Sequence, residues 1–312
     1  MFNKFLASVF ASTAYALLST AGWKRRTVEA NLAHVHELNI LDNVTNLEQT
    51  NTHKNKLILY KLIIRNLTRH VGEMIFTFDE YKTLPWHCSE YPVKKNGCIF
   101  EIADDSARAI DKMRKGGIFL TAHYGNYEAS GAWLCALGVP LKASFIPLKP
   151  AWLNQIVYEK IRCVRGRPYS ISAKTPREFL DQLDGKAPDC AGQKQLFCLL
   201  ADQDSRIGSA LDGTFLGQPA KINPLPDFLL KHRPDTPVFF CWIEERRNDS
   251  RGVSKKILHA MEATKYQPEN ARGSIVDGPY RKWLDERIRE NPALWYGWTH
   301  RRFRSKNPEI YL

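Results

Sequence analysis

Between Lys4 and Lys24 the chain runs for 19 residues, FLASVFASTAYALLSTAGW, without a charge. A bilayer core takes roughly 20 apolar residues in a helix, so this length fits one span. Its richness in Ala, Ser and Thr makes the span a marginal one. Lys24, Arg25 and Arg26 follow at once, against the single Lys4 before it. The positive-inside bias then places everything after residue 23 on the cytoplasmic side. Two other readings of the same pattern are a cleaved signal peptide, suggested by the small residues around Ala21, and a helix lying in the interface or buried in the fold. The expectation is a membrane-anchoring helix over residues 1–23.

Residues 24–95 read as a helical segment. RRTVEANLAHVHEL and KLILYKLIIRNLTRHVGEMI place apolar residues near helical spacing, with the polar stretch DNVTNLEQTNTHKN between them. The pattern breaks from Pro85 to Pro92, and Lys94–Gly97 predict a turn. From residue 96 to 312 the periodicity changes. Short apolar runs (CIFEI, GIFLTA, LKASFIPL, QLFCLLAD, TPVFFCWIEE) alternate with amphipathic stretches (DSARAIDKMRKG, NYEASGAWLCALG, WLNQIVYEKIRCV, REFLDQLDG, PLPDFLLKH, RKWLDERIRENP). That alternation predicts an α/β domain: a central mostly parallel or mixed sheet flanked by helices.

Composition adds a charge that such a fold does not require. In 312 residues, 45 Lys and Arg stand against 33 Asp and Glu, leaving +12. A surplus of this size points to an anionic partner: nucleic acid, an anionic membrane, a phosphorylated substrate or an acidic protein. No RNP sequence, C2H2 pattern or helix-turn-helix supports nucleic acid. The seven cysteines are odd in number and scattered without ligand spacing, so neither a disulfide framework nor a zinc site is expected.

The most informative stretch is GGIFLTAHYGNYEASGAWL, residues 116–134. Gly117–Ala122 read as a buried strand that ends at His123, and Asn126 is placed to cap a helix running to Leu137. Active sites of α/β folds usually lie at the C-terminal edge of the strands. On one continuous helix His123 and Glu128 diverge by about 140°. With His123 in the turn and Glu128 in the first helical turn, freedom at Gly125 lets the two side chains meet. A carboxylate behind an imidazole fixes its tautomer, as a general base requires. A Glu in a first turn is also favoured by the helix dipole alone, so the residues by themselves leave both readings open. Seven other histidines (His34, His36, His53, His70, His87, His232 and His259) carry no convincing partner spacing.

HYGNYE resembles the His-[FY]-Gly-Asn-[WY]-Glu motif of the lauroyl/myristoyl-type lipid A biosynthesis acyltransferases. These belong to the glycerolipid and lysophospholipid acyltransferases that share H-x4-[DE]. Other segments are similar to that family in the family's order. They are RRTVEANL at Arg25–Leu32, Arg162 four residues before Gly166, LADQD with Asp202 and Gln203, TFLGQPA at residues 214–220, and WYGWTHRRFRSK with His300, Arg301 and Arg302. The resemblance spans essentially the whole chain. Ile222 departs from it, standing where the family often has Thr, and Asp181–Lys194 is longer and more polar than usual.

The resemblance implies O-acyl transfer from an acyl carrier protein thioester to a hydroxyl of a lipid A precursor at the bacterial inner membrane, with no cofactor or metal. His123 is then the general base and Glu128 its support. Arg162, with backbone N–H groups around Gly125 and Asn126, is expected to hold the oxyanion, or Arg162 the substrate phosphate. Asp202 and Gln203 are expected to shape the site, and His300, Arg301 and Arg302 to bind phosphate or dock the fold. Other acceptors remain open, such as a lysophospholipid or a phosphatidylinositol mannoside. So do a hydrolase, although no G-x-S-x-G elbow is present, and a non-catalytic protein that binds anionic lipid.

Overall fold

The computed structural model describes residues 2–35, 52–144, 151–155, 157, 161–171, 175–248, 253–266 and 273–312. Residues 42–51 of the polar stretch between the first helices fall outside them, its last four residues opening α3, and so does the end of the LKASFIPL run. Helices α1 (Phe2–Thr20), α2 (Arg25–His34), α3 (Thr52–Phe76) and α4 (Asp79–Lys82) come first. The hairpin β1 (Val93–Lys95) and β2 (Cys98–Ile102) turns at Asn96–Gly97 and leads to α5 (Ser106–Met113), β3 (Gly117–Thr121), α6 (Tyr127–Ala136), β4 (Leu141–Ser144) and α7 (Ala151–Gln155). A small hairpin, β5 (Cys163–Val164) and β6 (Arg167–Pro168), precedes β7 (Ser170–Ile171), α8 (Pro176–Asp184) and β8 (Leu196–Leu200). A second hairpin, β9 (Leu211–Phe215) and β10 (Gln218–Ile222), leads to α9 (Leu225–His232), β11 (Val238–Asn248), β12 (Val253–Glu262) and α10 (Arg281–Glu290).

Eight strands form one mixed sheet in the order β1-β2-β12-β11-β3-β8-β4-β7. β1–β2 and β11–β12 pair antiparallel; the other neighbours run parallel. β3 is buried along its whole length, as a central parallel strand covered on both faces must be. Its side chains alternate between two cores. Ile118 and Leu120 join Phe197, Phe240 and Trp283 on one face, together with Val28, Leu59 and Ile63 of α2 and α3. Phe119 joins Trp133, Phe100 and Phe239 on the other, under α5 and α6. α2, α3 and α4 therefore share cores with the sheet. Asn126 caps α6 by accepting from the Ala129 amide, as its position predicts. α6 is buried nearly all round, which explains its Ala, Gly and Ser rather than a polar face.

α1 does not stand alone. It packs along α3, where a Cβ on Gly72 would lie 2.8 Å from the Ala7 carbonyl oxygen, so only glycine permits this approach. Phe10 meets Phe76 with ring centroids 5.9 Å apart, and Arg65 lies over Tyr15. The outer face of α1 exposes Phe2, Phe5, Val9 and Leu17. Among the described residues no single helix is long and apolar enough to cross a membrane. α1 and α2 reach that length and composition only as a pair bent by 74°.

Candidate active site

β3 and β8 are parallel neighbours with Thr121 opposite Leu200. His123 and Asp202 each lie two residues beyond that pair, so the sheet register sets them side by side at the C-terminal edge. The Asp202 carboxylate is fully buried and accepts from His123 Nδ1 at 2.9 Å through one oxygen. Its other oxygen accepts from the His123 amide at 3.1 Å and from Trp295 Nε1 at 2.9 Å. An ionised carboxylate only accepts, so the proton sits on Nδ1 and Nε2 carries the free lone pair. Gln203 Nε2 faces that nitrogen at 3.4 Å, and the Tyr127 ring packs edge-on at 5.1 Å.

Electrostatics follow from this geometry. Burial disfavours the imidazolium, but the charge and hydrogen bond of Asp202, with a further contribution from Glu128, outweigh it and hold His123 above the usual histidine value. Burial likewise works against the Asp202 anion, yet His123 and Trp295 bring its carboxyl down to about 2. His300 is exposed at the mouth, its ring centroid 6.0 Å from that of His123. Partial burial and then the facing His123 push it below its ordinary value.

Glu128 corrects the expectation drawn from the motif, because the carboxylate behind the imidazole is Asp202. Glu128, in the first turn of α6, faces the strand that begins after Arg162 and accepts both Nε, at 3.0 Å, and Nη2 of that guanidinium. Burial opposes the Arg162 charge, and Glu128 more than restores it. Among the described residues Arg162 Nη1 is buried without a hydrogen-bond partner. The tight β5–β6 turn through Arg165 and Gly166, both at positive φ, closes the hairpin that carries it.

Of the backbone donors expected around Gly125 and Asn126, the first is already taken. Gly125, at φ 57°, gives its N–H to the Leu294 carbonyl at 2.8 Å. The Asn126 side chain is spent on the α6 cap and on Glu73, to which Nδ2 donates at 3.0 Å. What remains nearby are the first amides of α6, which a helix cannot satisfy internally.

The C-terminal signature divides. Arg302 is buried over the Phe215 ring at 4.5 Å and donates to the Lys221 carbonyl, so it docks β10 and is closed to phosphate. Arg301 is exposed, over Tyr311 at 5.8 Å. Asn31 of α2 donates to the carbonyls of Trp298 and His300, both at 2.8 Å. The dispersed segments RRTVEANL, TFLGQPA and WYGWTHRR thus meet in one place beside His123. Trp295, Tyr296 and Tyr127 join the site without having been singled out from the sequence; the strand-like bridge between Tyr124 and Trp295 is what brings the first two in. Among the described residues no group of three or more His, Cys, Asp or Glu side chains is placed to hold a metal ion. No protein-family model and no curated protein matches this chain.

Proposed function

We propose that the chain transfers a fatty acyl group from an acyl carrier protein thioester to a hydroxyl of a membrane lipid, a lipid A precursor at the inner membrane being the acceptor expected first. The observation that carries this reading is the Asp202–His123 pair, with Nε2 turned to the open edge of the sheet. Nε2 takes the proton of the acceptor hydroxyl as its oxygen attacks the thioester carbonyl. Asp202 stabilises the imidazolium that forms. Arg162, clamped by Glu128, is the side chain proposed to meet the developing oxyanion or a substrate phosphate. A fixed donor of this kind contributes ~2.7–4 kcal/mol to the transition state. The tetrahedral adduct collapses, the carbon–sulfur bond breaks, and the thiolate takes the proton back from Nε2.

Membrane attachment belongs to the same proposal. α1 buries one face on α3 and leaves Phe2, Phe5, Val9 and Leu17 outward, with Trp23 and Lys24 at its end. That pattern supports a helix lying in the interface on the cytoplasmic side. The residue-level resemblance of HYGNYE and the segments gathered around it supports the acceptor. The test is incubation of the purified protein with acyl carrier protein thioester and lipid A precursor, read by mass spectrometry. One added acyl chain per acceptor is expected, and none with His123→Ala. Release of free fatty acid alone points to a hydrolase. Acylation of a lysophospholipid instead changes only the acceptor.

A further inference from the structure

Four charged side chains and a histidine meet beneath the His123 turn. Glu73 of α3 accepts from Lys256 Nζ of β12 at 2.8 Å and from Arg69 Nη1 at 3.4 Å. Glu245 of β11 pairs with Arg69 and with His70 Nε2 at 3.2 Å, and Lys256 also donates to the Tyr81 hydroxyl at 2.6 Å. Burial works against each carboxylate, and the neighbouring cations outweigh it and keep both ionised. A buried cluster of this kind is often no more stable than apolar residues of the same volume, so stability alone does not account for it.

Its hydrogen bonds end on the turn. Glu73 holds Asn126 Nδ2 at 3.0 Å. His70 Nδ1 meets the Tyr296 hydroxyl, and the Tyr296 amide donates to the His123 carbonyl at 2.8 Å. Both ends of the His123–Asn126 turn are therefore tied to α3. On its far side the cluster borders a cavity of about 480 Å³, where Arg69, Glu73 and Lys256 face Ala7, Ser8 and Ala11 of α1.

We infer that Glu73, Glu245, Lys256, Arg69 and His70 are positioning residues. They fix the turn that aims His123 at Asp202, and so transmit the seating of α1 and α3 to the reacting nitrogen. The inference rests on His123 being the reacting group of the proposed transfer. Its test reads the hydrogen-bonded Nδ1–H resonance of His123 by NMR in the full chain, beside kcat and KM. Glu73→Gln removes one charge from the cluster while keeping an acceptor for Asn126. It is expected to move or broaden that resonance and to lower kcat by about 10²-fold with KM little changed, as a misplacement near 1 Å does. Tyr296→Phe deletes only the hydroxyl and is expected to shift the resonance as well. It decides the matter should Glu73→Gln not fold. A wild-type resonance in either variant, once folded, overturns the inference. Failure of the wild-type protein to transfer any acyl group sinks the proposed function instead and leaves the resonance test standing.

Discussion

Asp202 decides the tautomer and charge of His123, and a pH profile reads both. If His123 is the base, as proposed, it works neutral, so kcat/KM is expected to rise with pH through the His123 pKa, which lies above the usual value of about 6.5. Asp202→Asn removes the charge that outweighs burial, so the midpoint should move to lower pH while kcat drops on the order of 10³–10⁴-fold. Glu128→Gln removes a smaller contribution to His123 and should move the midpoint less, in the same direction. A midpoint that stays put in Asp202→Asn would detach that carboxylate from the base. His123 was legible in the sequence because strand, turn and cap are local signals. Its partner was not, because Asp202 lies 79 residues away and reaches it only through strand order.

At the scale of elements, close approach governs. Gly72 lets α1 lie against α3, and a side chain there meets backbone rather than a flexible neighbour. Gly72→Leu is expected to cost about 1–3 kcal/mol by overpacking. It should lower the melting temperature and open α1 to limited proteolysis; unchanged protection of α1 would count against this packing. After residue 95 the helices α5–α10 and the strands β2, β3, β4, β8 and β11 were legible from their periods, while the short β5, β6 and β7 and the β9–β10 hairpin went unread. β12 was not legible either, since Lys255, Lys256 and His259 interrupt its apolar alternation, and Lys256 is inward only because Glu73 meets it there. The turn expected at Lys94–Gly97 is narrower than the sequence suggested, with Lys94 and Lys95 already paired to β2.

For the whole molecule the question is which anion answers +12. The protein is expected to float with vesicles of anionic phospholipid at low salt and to be partly released at about 0.5 M salt, where exposed charges are screened. Equal binding to neutral vesicles would assign the seat to the apolar face of α1 alone. Arg302 is part of the surplus but is spent inside the fold, so net charge overstates what the surface offers. By itself the sequence determined the α/β alternation, the histidine at a strand end, the capped helix after it and the uncharged N-terminal stretch. Each is written in residues within a turn or two of one another. Only the tertiary structure decided that Asp202 backs His123, that Glu128 clamps Arg162, and that α3 reaches the turn. Those contacts depend on which strands become neighbours and in what register, and local pattern carries no record of either.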